Sequence, residues 1–125
     1  MMTRDRLEQL KGKVFGVGRE LTYQEGKEVL LALASLRPEV LRFAQRMEEV
    51  LRNNDDKGGW KGMDDYQILE RIHKEVKELD EEVERPQVSV IPALACKEAI
   101  DVANCCMFLV DIYHGLDGDI SEIGR

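Results

Sequence analysis

Between Ala93 and His114 the chain is largely apolar, and most of the breaks are acidic. Ala99, Ile100, Val102, Ala103, Cys105, Cys106, Met107, Phe108, Leu109, Val110 and Ile112 predict a helix over 93–114 that is apolar on nearly every side. A helix of that kind is central and buried. Glu98, Asp101 and Asn104 interrupt it at steps of three, and Asp111 follows seven residues on, so the four form one polar ribbon. A carboxylate left uncompensated in a core costs several kcal/mol. The fold must therefore give each acid a cationic partner or gather the acids around something positive. The spacing favours the second solution, a metal site.

A matching motif lies earlier in the chain. Glu75-Val76-Lys77-Glu78 and Glu98-Ala99-Ile100-Asp101 each place two acids three apart, with nineteen residues between the motifs. On a helix, residues three apart point the same way, roughly 60° from one another around the axis. The first motif belongs to a helix expected over 65–84, with Ile68, Leu69, Ile72, Val76, Leu79 and Val83 as its apolar stripe. Glu75 and Glu78 flank that stripe, so they face the seam between helices. Lys74, Lys77, Asp80 and Glu81 look like solvent-facing charge. Two such helices side by side aim four carboxylates at one place, an all-oxygen donor set suited to Mg²⁺, with Mn²⁺ as a substitute.

The remaining segments predict an all-α chain, a bundle of four to five helices. Residues 1–22 form an N-terminal arm with a short helix near Leu7–Leu10. A helical domain spans 23–114, and 115–125 form a polar tail. Thr22 and Glu25 make a capping box that opens a helix over 23–36, ended by Arg37-Pro38. Pro38 suits the first turn of the next helix, 38–53, where Val40, Phe43, Ala44, Met47, Val50 and Leu51 form one stripe. Asp64 and Gln67 cap the helix over 65–84, and Arg85-Pro86 ends it. Gln87–Pro92 reads as an extended connector. Gly16-Val17-Gly18 lacks the rest of any phosphate-loop pattern. Asp117-Gly118-Asp119-Ile120-Ser121 resembles the start of a calcium loop but carries Glu122 where the turn glycine belongs.

Asn53 to Gly62 is a loop with three glycines, the single tryptophan of the chain and two lysines. It supports two readings equally. Trp60 either tucks back onto the bundle, because burying an indole stabilises a fold strongly, or it walls a base or sugar pocket while Lys57 and Lys61 meet phosphates.

Charge and composition narrow the partners. A net charge of −7 argues against a nucleic-acid polymer or an anionic membrane, although divalent metal can reverse the local sign for a polyphosphate. The three cysteines, one alone and two adjacent, give neither a disulfide framework nor a zinc spacing. The polar N-terminus and the lack of a long apolar run predict no signal peptide, no membrane span and a cytoplasmic protein. His73 and His114 read as surface residues, and no nucleophile–histidine arrangement is evident.

Taken together, Glu75–Leu79, the connector and Lys97–Val102 resemble the signature of the all-α nucleoside triphosphate pyrophosphohydrolases, the MazG-like group. Lys57-Gly58-Gly59-Trp60 and the run ending at Asn104 are similar to the small single-domain members, many of them from bacteriophages. The resemblance covers about residues 40–114. It implies hydrolysis between the α- and β-phosphates of a nucleoside triphosphate, giving a monophosphate and pyrophosphate. Glu75, Glu78, Glu98 and Asp101 would then be ligands of Mg²⁺ and catalytic. Lys57, Lys61 and Asn104 match positions that touch phosphate or sugar, Trp60 a wall of the nucleoside pocket, and Asn53 and Asn54 neighbouring candidates.

Two or three divalent ions in such a cluster would activate water and neutralise phosphate charge, and a carboxylate, Glu75 or Glu78, would take the water's proton. The loop leans the substrate toward deoxynucleotides, purines such as dGTP and dATP among them. The group assembles as dimers or tetramers, and the apolar 93–114 helix asks for more cover than one small domain gives. The competing readings are a non-catalytic oligomerising helical module, with its acids paired to Lys74, Lys77, Lys97 and arginines, and a relative acting on a phosphoribosyl-nucleotide.

Overall fold

The computed structural model describes residues 2–15, 21–85 and 92–116. Gly16–Gly18, connector residues 87–91 and the calcium-loop-like segment of the tail lie outside them. The chain is all-α: α1 (Arg4–Phe15), α2 (Tyr23–Ala34), α3 (Pro38–Asn53), α4 (Asp65–Glu84) and α5 (Ala93–Ile112), with one 3₁₀ turn, Asp55–Lys57, and no strand among the described residues. No described helix is long and apolar enough to cross a membrane. The described residues fall into two compact units, one up to Arg42 with Gly115 and Leu116, the other Phe43–His114.

In the first unit the expected short helix is a full α1 of twelve residues. The Thr22 capping box forms as expected: Thr22 Oγ1 accepts from the Glu25 amide at 3.1 Å and Glu25 Oε1 from the Thr22 amide at 3.1 Å. Glu25 does more than cap. It is only 6% exposed, with Lys13 Nζ at 2.6 Å and an Arg6 nitrogen at 3.8 Å. Arg6 also makes a two-pronged contact with Glu28, at 2.8 to 3.1 Å, so α1 and α2 are joined by charge-assisted bonds. Lys13 above all, and then the Thr22 amide, hold the Glu25 carboxyl down at about 2, against the opposing effect of burial.

A carboxyl depressed in the fold is protonated first in the unfolded chain. Its contribution is therefore complete above the ordinary value of 4.5 and is lost as pH falls toward about 2. Acid titration followed by amide exchange of α1 and α2 should show wild type losing protection across that window, with Glu25→Gln already weakened at neutral pH and flatter below. Parallel acid limbs for the two proteins would refute this.

The second unit is organised around α4 packed on α5. Asp64 and Gln67 form the expected capping box at 2.8 and 3.0 Å, which sets the register of α4. Ile68 (0% exposed), Cys105 and Phe108 are the buried centre, and Leu51, Trp60, Met63 and Ile72 pack around it. The stripe on α3 divides: Met47, Val50 and Leu51 are half-buried, whereas Val40, Phe43 and Ala44 are exposed. The burial expected of α5 on most sides is uneven. Asn104, Cys105, Phe108 and Asp111 are buried along one line, but Cys106 is exposed and Val110 is 41% exposed. At the far end, the Tyr113 hydroxyl donates to Asp65 Oδ2 at 2.7 Å and ties the end of α5 to the start of α4.

Candidate functional site

α4 and α5 bring the two acid motifs together. Glu75, Glu98 and Asp101 each offer one carboxylate oxygen, and these atoms lie within 4.8 Å of one another. Glu78 stands beside the group and adds to the field at both Glu75 and Glu98. The ordinary values of both are pushed up. For Glu75 the main cause is burial, followed by the charges of Glu78 and Asp101. For Glu98 it is again burial, with Lys97 opposing and Asp101 and Glu78 reinforcing. Like charges in a partly dry seam resist ionising together.

Two atoms in this region are buried with no hydrogen-bond partner: Glu98 Oε2 and Asn104 Oδ1. Asn104 is 3% exposed, and its Nδ2 donates to the Met47 carbonyl at 3.3 Å, which fixes Oδ1 as the spare acceptor. Buried acceptors without donors are rare and costly. An all-oxygen donor set with an orphaned buried carboxylate oxygen fits a hard divalent cation. Asp101 has a competing partner, since Lys97 Nζ lies 3.1 Å from its Oδ2 one turn away. Among the described residues no lysine or arginine makes an ion pair with Glu75, Glu78 or Glu98.

A cavity of about 250 Å³ opens against this cluster. Its lining includes Glu75 and Asp101, Asn104, Val50 and Leu51 from α3, and Asn54, Lys57, Gly58, Gly59 and Trp60 from the loop. Gly58 has φ of +82°, a backbone setting that glycine adopts without strain, and it turns the loop after the 3₁₀ segment. Asn54 lines the cavity, although its Nδ2 is spent on the Val50 carbonyl at 3.0 Å. Asn53 is exposed and does not line it.

Trp60 tucks back onto the bundle and also lines the cavity. Its ring stacks on Phe108 at 4.4 Å between centroids and 11° between planes, and its Nε1 donates to Asp111 Oδ2 at 2.8 Å, while the residue still lines the cavity. Lys61 goes elsewhere. Its ammonium sits on the same Asp111 oxygen, 5.2 Å from the Trp60 ring centre, and it is not among the cavity-lining residues. Asp111 therefore departs from the expectation that one metal site explains the whole ribbon. It lies ten residues, or about 15 Å of helix, beyond Asp101, too far to share a cation, and it holds the loop instead.

Two charged lining residues went unread in the sequence, Asp55 and Arg71. Arg71 had a legible signal, since it stands one turn before Glu75 and shares its side of α4. No protein-family model matches this chain, and no curated protein or solved structure matches it significantly.

Proposed function

We propose that this chain is a metal-dependent nucleoside triphosphate pyrophosphohydrolase of the MazG-like kind, with Glu75, Glu78, Glu98 and Asp101 as its metal ligands. The observation that carries the reading is the meeting of three carboxylates within 4.8 Å, two of which, Glu75 and Asp101, line a cavity also lined by Lys57, Asn54 and Trp60. The unpartnered oxygens of Glu98 and Asn104 support it. Bound Mg²⁺ or Mn²⁺, two or three ions per site, would supply Lewis acidity and activate water.

In the step proposed, a water oxygen attacks the α-phosphorus and the bond from that phosphorus to the bridging oxygen of the β-phosphate breaks. Pyrophosphate leaves with the bond's electron pair. One proton of the water stays on the new monophosphate, and Glu75 or Glu78 takes the other and passes it to solvent. Trp60, pinned by Phe108 and Asp111, walls the nucleoside end, and Lys57 meets phosphate. Lys61 serves phosphate only at the cost of its contact with Asp111. Dimers or tetramers would cover the open side of α5 at Cys106 and Val110.

The Lys97–Asp101 pair favours the alternative, a non-catalytic helical module. It neutralises one acid of four, and an exposed pair of this kind contributes only about 0.3–0.5 kcal/mol. The deciding experiment is incubation with the eight common nucleoside triphosphates, with and without Mg²⁺, followed by separation of pyrophosphate from single phosphates. Pyrophosphate that appears only with metal is the expected result. At a hundredfold excess over the dissociation constant, ligand should also stabilise the protein by about 2.7 kcal/mol. No product and no thermal shift with any triphosphate would leave the helical module. Turnover confined to a phosphoribosyl-nucleotide would move the substrate to that class.

A further inference from the structure

The proposed reaction needs cations for the phosphates, and the cavity lining redistributes those the loop was expected to supply. Lys61 is engaged with Asp111, so the described cations that line the cavity are Lys57 and Arg71. Among the described arginines, Arg71 is the one that lines the cavity. Arg6, Arg46 and Arg52 each reach a carboxylate, in a sequence with 25 acids against 18 lysines and arginines. Arg71 has Glu70 beside it and Glu75 one turn on, yet makes no ion pair among the described residues. Cation-before-acid is the weaker order for a helical pair, so local attraction does not capture it. Its charge also reaches the interior: burial pushes the Cys105 thiol up to about 11, and Arg71 is the leading influence in the opposite direction.

The order of groups along α4 says which part of a substrate Arg71 meets. The loop runs straight into the start of α4, and Trp60 and Ile68 pack in one cluster. Arg71 follows one turn later, then Glu75, then Glu78. A nucleotide with its base toward Trp60 sets its reacting α-phosphate between Arg71 and the acids, with Glu75 about 6 Å further along the helix than Arg71. The β- and γ-phosphates extend onward toward Glu78, away from Arg71. A guanidinium fork suits two oxygens of one phosphate better than an ammonium does. Resting on the hydrolase reading, we propose that Arg71 binds the α-phosphate of the nucleotide and orients it for in-line attack.

The test measures binding in Mg²⁺ of the α,β-methylene analogues of the four deoxynucleoside triphosphates, which resist cleavage at the scissile position. The corresponding monophosphates and nucleosides are compared by competition. Arg71→Gln should weaken analogue and monophosphate alike, by roughly tenfold to a hundredfold, the range for a charged hydrogen-bonding partner. Nucleoside binding should not change, and Arg71→Lys should fall between. Arg71 is exposed and glutamine is a good helix former, so the variant should melt with wild type. Unchanged binding of all ligands would overturn the assignment, and loss confined to the triphosphate analogue would move Arg71 to the leaving group and overturn it too. If wild type itself binds no nucleotide in Mg²⁺, the hydrolase reading fails first.

Discussion

On the proposed hydrolase reading, replacing Glu98 with glutamine should lower pyrophosphate release by more than about a hundredfold, since partners that merely orient metal ligands already cost 10–100-fold when lost. The same substitution should raise the melting temperature of the metal-free protein. Both follow from one fact: Glu98 is a half-buried carboxylate among like charges, with one oxygen lacking a donor. Its ordinary value is raised in the fold, so between that unfolded value and the raised folded one the native state holds more protons than the unfolded chain. Stability of the metal-free wild type must therefore fall as pH rises through the folded value, and glutamine removes that loss. At neutral pH the variant should melt above wild type, while added Mg²⁺ should raise wild type and leave the variant unmoved. The measurements are pyrophosphate release and paired melts with and without Mg²⁺ at two pH values. A variant that melts lower and keeps the Mg²⁺ shift would mean that Glu98 serves the fold rather than a cation.

Phe108→Ala should be the most destabilising single change in the second unit, by about 3–5 kcal/mol, a large share of the roughly 5–15 kcal/mol that a small domain has in total. Phe108 is one of three buried apolar residues in the described centre of this unit, so little remains to collapse into the space. The stack on Trp60 goes as well, about 0.5–1.5 kcal/mol beyond burial, while the bond from Trp60 to Asp111 remains. Phe108→Leu separates the two effects, because it retains most of the buried surface and loses the stack. Trp60 is the single tryptophan, so its fluorescence reports the loop directly. Urea melts read by fluorescence and by circular dichroism should show Phe108→Ala shifted far to low denaturant and Phe108→Leu between it and wild type. A shift for Phe108→Ala worth less than about 1 kcal/mol would mean that the Phe108 contact does not hold the unit together.

The parts of the fold legible in the sequence are those whose cause is local. Thr22 with Glu25 and Asp64 with Gln67 cap helices that begin at Tyr23 and Asp65, because each box closes over four consecutive residues. Pro38 opens α3 for the same kind of reason. Lys61 and Lys57 were indistinguishable in the loop, both near Trp60 and both flanked by glycine. What separates them is Asp111, fifty residues after Lys61, and no local pattern announces that pair. Arg71 does not stand out along the chain because charge on α4 is dense, and only its place at the cavity distinguishes it from Lys74 or Lys77.

On its own, then, the sequence determined where α2, α3, α4 and α5 begin, and that two acid pairs occur at a spacing that keeps each pair on one side of its helix. Those features depend on residues three and four apart, and the helical repeat settles them wherever the helix lies. Tertiary structure alone decided that Glu75, Glu98 and Asp101 converge with Glu78 beside them, that Asp111 binds the loop, and that α5 keeps an open side at Val110. These are distances between helices, set by how α4 packs against α5 and where the loop closes, and no repeat along the chain encodes them.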